Sequence, residues 1–465
     1  MSQSVLSRRR FLVGLGVGLA AVMAAACAPK TAPEPAAVAE ANKPSQPSTQ
    51  PTSQAAAAPA SQVATQVVLW SSFSGKNGEA ETALVNKFNE SQDKVKLDYQ
   101  FQGSYEECAQ KLTAALQART APDICLLSDV WWFKFYLNKA LAPLDELLSL
   151  AKVDVNQYQD SLINEGVRKG VHYWVPFARS TPLFYYNRDM WQAAGLPDRG
   201  PETWAEFTEW APKLLKKEGA EIKTAAFVHP DGASYIAWIF QAVAWQYGGK
   251  YSDPDFTMHM THAETVRAGQ FYADTVHKYG WAKPVKDIGA DFINGLTAAT
   301  IMSTGSMGGV RANAKFNFGT AFLPQEKNFG CCTGGAGLAI LAGAPDEHKQ
   351  AGMEYVAFAS NAESTSFWAM NTGYMPVRKD ALETKTMQDF FTEFPQFRTA
   401  VDQLPKTQPQ DAARVFVPNG DQIIGKGLEK ITVQNGAVAD AFAEVNKILE
   451  QEAKPIVEAL KAVEG

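Results

Sequence analysis

The chain is poor in the residues from which most catalytic and metal centres are built. Its 465 residues include six histidines and five cysteines. Cys108, Cys125, Cys331 and Cys332 are too few for a disulfide scaffold in a chain of this length. Only His259 and His262 share ligand-like spacing, and no acid or cysteine supports them on the same helix. A solvated helix start is the simpler reading, so neither a metal nor another cofactor is expected. Ser306, in STGSMGG, lacks the spacing of a nucleophile elbow. Gly334-Gly335-Ala336-Gly337 has no following Lys-Ser/Thr and is no phosphate loop. No basic tract is present, which argues against a nucleic-acid partner. The apolar run near the start falls short of the ~20 residues needed to span a bilayer.

That short apolar run carries other information. Residues 7–27 read SRRRFLVGLGVGLAAVMAAAC. Ser7-Arg8-Arg9 with Phe11-Leu12, followed by an apolar core and small residues, has the form of a twin-arginine export signal covering 1–26. Ala24-Ala25-Ala26-Cys27 has the form of a lipobox, with Cys27 as the lipidation site. Residues 28–65 consist almost entirely of Ala, Pro, Ser, Gln and Thr and contain no aromatic residue. Such a segment cannot bury a core and reads as a semi-extended, disordered tether. The expected location is extracytoplasmic, in the periplasm or at the cell surface, with a lipid anchor to the membrane. Cleavage before Cys27 removes three arginines and no acid, taking the formal charge from −6 to −9.

About 400 residues follow the tether, which implies two domains. From Val67-Val68-Leu69-Trp70 onward, strand-like and helical runs alternate. QVVLWSSF, VKLDYQF and PDICLLS read as strands, separated by helices over Gly78–Glu90 and Tyr105–Ala118. This β-α-β-α-β order implies a parallel sheet with helices on its faces. Ligands in such sheets sit beyond the carboxyl ends of the strands, here Ser71–Ser74, Gly103–Tyr105 and Ser128–Trp131. A second α/β pattern begins near Thr181, with capping boxes at Thr203/Glu206 and Thr261/Glu264. Near Thr300 three strand-like runs follow: AATIMSTGS, FNFGTAFLP and GGAGLAIL. Helices dominate the remainder. Cys108 and Cys125 fall on a helix and the next strand, where a bridge is one option; Cys331 and Cys332 read as buried thiols.

Aromatic side chains are spread through both halves, and most belong to cores. Those at strand ends or in loops, such as Tyr105 and Tyr374, are better placed to line a cleft, where a flat face with a hydroxyl suits polyols and sugars. The order of FARSTPLFYYNRDMWQAAGL, PETWAEF, STGS, AKFNFGTAFLP, GGAGLAIL and FWAMNTGYMPV resembles the extracellular solute-binding proteins of ABC importers, the group that includes maltose-binding protein. STP-x-x-YYN is similar to the sugar-type members. AKFNFG, GGAG and TGYMP together are most similar to the glycerol-3-phosphate and glycerophosphodiester branch.

The resemblance implies a two-lobed periplasmic-binding-protein fold of the α/β class, with a hinge between lobes. Residues 66–177 plus 296–343 are expected in the first lobe, and 178–295 plus 344–465 in the second. It implies a ligand set of Tyr105, Asp129, Ser180, Ser303, Gly335, Tyr374 and Arg414, with Ser306, Tyr235 and Trp238 as further candidates. Phosphate needs convergent N–H and O–H donors plus a fork-shaped cation, and Asp129 suits glycerol hydroxyls. Arg179 and Met302 depart from the family pattern. The partners implied are a small-molecule solute and the transmembrane subunits of an ABC permease, with the protein acting as a monomer and not as an enzyme. Three other readings compete: a binding protein for an uncharged di- or oligosaccharide, a secreted carbohydrate-active enzyme, and a chemosensory or adhesion module. An enzyme should show two acids fixed across a cleft, whereas this sequence offers one, Asp129.

Overall fold

A computed structural model describes residues 63–465. The expected export signal, Cys27 and residues 28–62 lie outside the described residues. Ten strands form two sheets. They are β1 (Thr65–Ser71), β2 (Val95–Phe101), β3 (Ile124–Ser128), β4 (Val175–Ser180), β5 (Pro182–Asn187), β6 (Glu221–Pro230), β7 (Ala282–Val285), β8 (Thr297–Ser303), β9 (Phe318–Ala321) and β10 (Gly334–Ile340). The first sheet has the order β2-β1-β3-β10-β4 and the second β7-β6-β8-β5-β9, with a short strand Lys216–Glu218 added on β6.

The first sheet begins as its sequence predicts. β1 is parallel to both β2 and β3, and each connection is a helix, Gly75–Ser91 and then Tyr105–Ala118. β3 is buried along its whole length, as its uninterrupted apolar run ICLL requires. The helix at Tyr105 starts at a reciprocal cap. The Ser104 hydroxyl accepts from the Glu107 amide, and the Glu107 carboxylate accepts from the Ser104 amide at 2.7 Å. At Thr203 only half of such a box forms, because the Glu206 carboxylate accepts from Glu202 instead. Thr261 is no cap at all: the helix starts at Ala263.

The assignment of segments to lobes differs from the sequence expectation. β8 and β9 belong to the second sheet, not the first. β8 pairs antiparallel with β5, Ala299 opposite Tyr186 and Ile301 opposite Phe184, and parallel with β6. Only β10 returns to the first sheet, lying antiparallel between β3 and β4. β4 runs through Ser180 in the first sheet, so the chain first crosses at Thr181. Helices Asp346–Ala359 and Ala362–Thr372 pack on β1 and on the helix Gly75–Ser91, and therefore belong to the first lobe. Strand partners are chosen by long-range packing, which local pattern does not encode.

Aromatic residues fill both cores. Trp174, Trp191, Trp204, Trp281 and Trp368 are fully buried. The last helix, Val438–Glu464, packs on the second lobe and ends against the first, where Glu464 accepts from Arg168 at 2.7 and 2.9 Å. Cys108 and Cys125 are free thiols with sulfurs 3.7 Å apart, so the optional bridge is not formed here. Cys331 and Cys332 are fully buried free thiols. Among the described residues no helix is long and apolar enough to cross a membrane.

Candidate functional site

Between the lobes lies a cavity of about 550 Å³. Its walls include Tyr105, Asp129, Ser180, Ser303, Gly335, Tyr374 and Arg414, together with Ser306, Tyr235 and Trp238. Residues more than 300 positions apart in sequence thus meet at one place.

Each of these positions has a local cause. Tyr105 is the first residue of its capped helix, which turns it toward the cleft. Its ring packs edge-on against Phe73 at 5.9 Å. Tyr374 follows Gly373, which ends the helix Ala362–Thr372 in a left-handed conformation, and its ring stacks on Trp368 at 5.7 Å. Burial pushes the Tyr374 hydroxyl up to about 12. Burial, then the neighbouring Tyr374 and Asp129, push Tyr105 well above the ordinary tyrosine range. Both are neutral donors at physiological pH.

Asp129 follows β3 directly, and its amide donates to the Gly335 carbonyl at 2.9 Å. Gly335, the second residue of the facing strand, has a φ of +109°. A Cβ there would sit 2.0 Å from the Ala178 carbonyl oxygen. A side chain at this position would separate β10 from β4 and displace Asp129 with it. Ser180 is the last residue of β4 and opposes Gly334.

The second lobe supplies the other wall. Ser303 ends β8, and its hydroxyl accepts from the Gly305 amide, shaping the turn Thr304–Ser306. The Tyr235 hydroxyl accepts from the Ser303 amide at 2.7 Å. Trp238 is pinned by its indole N–H on the Thr333 carbonyl at 3.0 Å, with Tyr235 beside it at 5.6 Å. Arg414, on the short helix Ala412–Val415, is 5 % exposed and lies 3.7 Å from the Asp129 carboxylate. Gln410 joins the two, donating to Asp129 and accepting from Arg414 Nη1.

The division between lobes is again not the expected one. Ser180 and Tyr374 stand on the first-lobe wall, and Ser303 on the second. Met302 lines the cavity as well, whereas Arg179 turns away, to an ion pair with Glu165 and onto the Trp174 ring at 4.9 Å. Of the strand-end segments, Ser104–Tyr105 and Ser128–Trp131 line the cavity but Ser71–Ser74 do not. The Ser71 hydroxyl is used internally, on the buried Glu81 carboxylate at 2.7 Å.

Among the described residues, three polar atoms at the cavity are buried without a partner: Tyr105 Oη, Ser128 Oγ and Arg414 Nε. An unmet buried donor costs about 1–3 kcal/mol, so each is a place where a polar ligand gains. Two hydroxyls and one guanidinium edge, set beside the Asp129 carboxylate, fit an oxyanion with alcohol groups close to it; Glu106, Asp287 and Asp421 also line the cavity. Contacts also span the cleft. Asn77 donates to the Gly305 carbonyl at 3.3 Å, and Gln422 to Glu106 at 3.0 Å. Sequence reasoning missed Asn77, Gln410 and Gln422, which lie in no motif. Among the described residues no group of three metal-ligating side chains occurs. His259 instead engages Asp253 at 2.6 Å and His262 at 3.1 Å.

Comparison with known proteins identifies the family and the fold. The sequence model of the family described as bacterial extracellular solute-binding protein matches residues 83–397. The crystal structure of UgpB from Mycobacterium tuberculosis in complex with glycerophosphocholine superposes with a TM-score of 0.80 at 40 % identity. The match covers 84 % of this chain and 99 % of that one. The sn-glycerol-3-phosphate-binding periplasmic protein UgpB of Escherichia coli K12 is 26 % identical over 359 residues, which is 74 % of this chain and 81 % of that protein. Maltose-bound MalE3 of T. maritima shares the fold, with a TM-score of 0.72 at 20 % identity, covering 83 % of this chain and all of that one.

Proposed function

The chain belongs to the bacterial extracellular solute-binding proteins, and on that premise we propose that it captures glycerol-3-phosphate or a glycerophosphodiester for an ABC importer. The observation that carries this reading is Arg414. It is a buried guanidinium with an unpartnered Nε, set in an inter-lobe cavity beside Asp129 and the hydroxyls of Tyr105 and Ser128. The guanidinium edge and hydroxyls would hold the phosphate oxygens, and the Asp129 carboxylate would accept from the glycerol hydroxyls. The glycerophosphocholine complex of the M. tuberculosis relative supports the same ligand class.

Both lobes contribute to the cavity, so the ligand is gripped only when they close. Closure about the hinge converts ligand occupancy into a shape that the permease recognises. The chain is read as a carrier without turnover, as its membership of the solute-binding family and its glycerol-3-phosphate-binding relatives support. Calorimetry with glycerol-3-phosphate, glycerophosphocholine and maltose tests the ligand class. Tight maltose binding with no response to either phosphate compound would overturn it. The aromatic wall of Trp131, Tyr235 and Trp238 is what an uncharged disaccharide would use, so maltose is the informative control.

The export and anchoring of the protein are proposed from Arg8, Arg9 and Cys27. The mature chain would begin at an acylated Cys27 on the outer membrane face, tethered by the residues ahead of β1 and acting as a monomer; Thr65, expected in the tether, is the first residue of β1. Mass spectrometry of the membrane fraction would find the acylated cysteine. A mature protein starting elsewhere would refute the anchor. Replacing both arginines by lysine should block twin-arginine export.

A further inference from the structure

Gln410 occupies an unusual position between two opposite charges. Its amide N–H donates to Asp129 Oδ2 and its carbonyl oxygen accepts from Arg414 Nη1. The guanidinium and carboxylate stand 3.7 Å apart. A direct Arg–carboxylate pair would draw together to about 2.7–2.9 Å, usually through two parallel bonds. The amide is therefore inserted where a direct ion pair would otherwise form. Its backbone is held on both sides. The Gln408 amide donates to the Cys331 carbonyl at 3.1 Å, and the Asp411 carboxylate accepts from the Tyr251 amide at 2.6 Å and the Trp245 indole at 3.2 Å. Beyond Gln410 lies a second cavity of about 610 Å³, which Asp129 also lines. Gln410 lines that second cavity and meets the first through its bonds to Asp129 and Arg414.

We infer that Gln410 is a positioning residue that keeps Arg414 and Asp129 from neutralising each other, so that both face the ligand. The inference rests on the glycerol phosphate reading of the cleft. A neutral amide with one donor and one acceptor occupies one valence of each charged group. It leaves Arg414 Nε, which has no partner among the described residues, for an anionic oxygen. A carboxylate in its place would pair with Arg414 and repel both Asp129 and a phosphate. An apolar side chain would let the two charges collapse onto each other.

The test is calorimetry of glycerophosphocholine binding by the full mature chain, its Gln410→Glu variant and its Gln410→Leu variant, from pH 5 to pH 8. The phosphodiester keeps one negative charge throughout, so the ligand does not titrate. At pH 8 both variants should bind at least ten-fold more weakly than the unmodified chain, with melting temperatures close to its own. For Gln410→Glu the deficit should shrink to less than three-fold at pH 5, because a protonated carboxyl again offers one donor and one acceptor. For Gln410→Leu it should stay constant with pH. Affinities within two-fold of the unmodified chain at pH 8 would overturn the inference, as would a Gln410→Glu deficit that ignores pH. Failure of the unmodified chain to bind either phosphate compound would instead remove the functional reading, and the inference with it.

Discussion

Gln422, at the start of the helix Gly420–Thr432, reaches across the cleft mouth and donates to Glu106 on the opposite lobe at 3.0 Å. Both residues line the cavity. This hydrogen bond exists only while the lobes are together, so it acts on the closed state alone. A hydrogen bond to a charged group contributes about 1.5–3 kcal/mol, and solvent at the cleft mouth reduces that to about 1 kcal/mol. Gln422→Ala should therefore raise the ligand dissociation rate about five-fold and leave the association rate within two-fold. Stopped-flow measurement of both rates checks this; a change confined to association would contradict the closure role.

Arg414 should discriminate between charged and uncharged ligands. Loss of a charge-assisted hydrogen bond costs about 1.5–3 kcal/mol, which is roughly ten- to a hundred-fold in affinity. Arg414→Ala should weaken glycerol-3-phosphate by that factor and an uncharged disaccharide much less. Arg414→Lys should restore only part of the loss, because a point charge cannot present the Nη1 and Nε donors together. Asp129→Ala should weaken both ligand types, since both offer hydroxyl donors to its carboxylate. Equal losses for both ligands in Arg414→Ala would remove phosphate from its role.

Gly335 couples the sheet to the site. Its φ of +109° and the 2.0 Å approach of a notional Cβ to the Ala178 carbonyl leave no room for alanine. A strained backbone of this kind costs about 1–3 kcal/mol, and the steric overlap adds to it. Gly335→Ala should lower the unfolding free energy by at least about 2 kcal/mol. Ligand affinity should fall as well, because Gly335 fixes Asp129 through its carbonyl. Denaturant unfolding and calorimetry on the same preparation measure the two effects.

Much of this architecture was legible in the sequence. The two α/β patterns, the parallel start of the first sheet and ten of the residues that line the cavity followed from strand–helix alternation and from motif resemblance. The lobe membership of β8 and β9 was not legible. Short apolar strands of Ala, Thr and Phe fit either sheet locally, and only the register against Phe184 and Tyr186 selects one. Gln410 was hidden for a related reason. It lies in the polar run TQPQD, which has no periodicity, and acquires meaning only because Asp129, 281 positions earlier, meets it. Arg179 shows the reverse: it departs from the family pattern beside the motif serine, yet the alternation of β4 turns it to the other face.

Glu81 sets a pH dependence that is separable from ligand binding. It is fully buried behind β1, where the Ser71 hydroxyl donates to it at 2.7 and 2.8 Å. Burial pushes its carboxyl from 4.5 up to about 7, with the hydrogen bond from Ser71 opposing the shift. The folded state therefore holds this proton more tightly than the unfolded chain does. Below about pH 4.5 both states are protonated and the group has no net effect. As pH rises toward 7 the unfolded chain releases the proton first, and stability falls. Above about pH 7 the destabilisation is constant, on the order of 3 kcal/mol. Glu81→Gln keeps an acceptor for Ser71 and removes the charge. The variant should match the unmodified protein near pH 4.5 and exceed it increasingly up to about pH 7, with the gap level beyond that. Urea unfolding of both proteins across pH 4.5–8 measures the gap. A constant difference over this range would show that Glu81 does not titrate there.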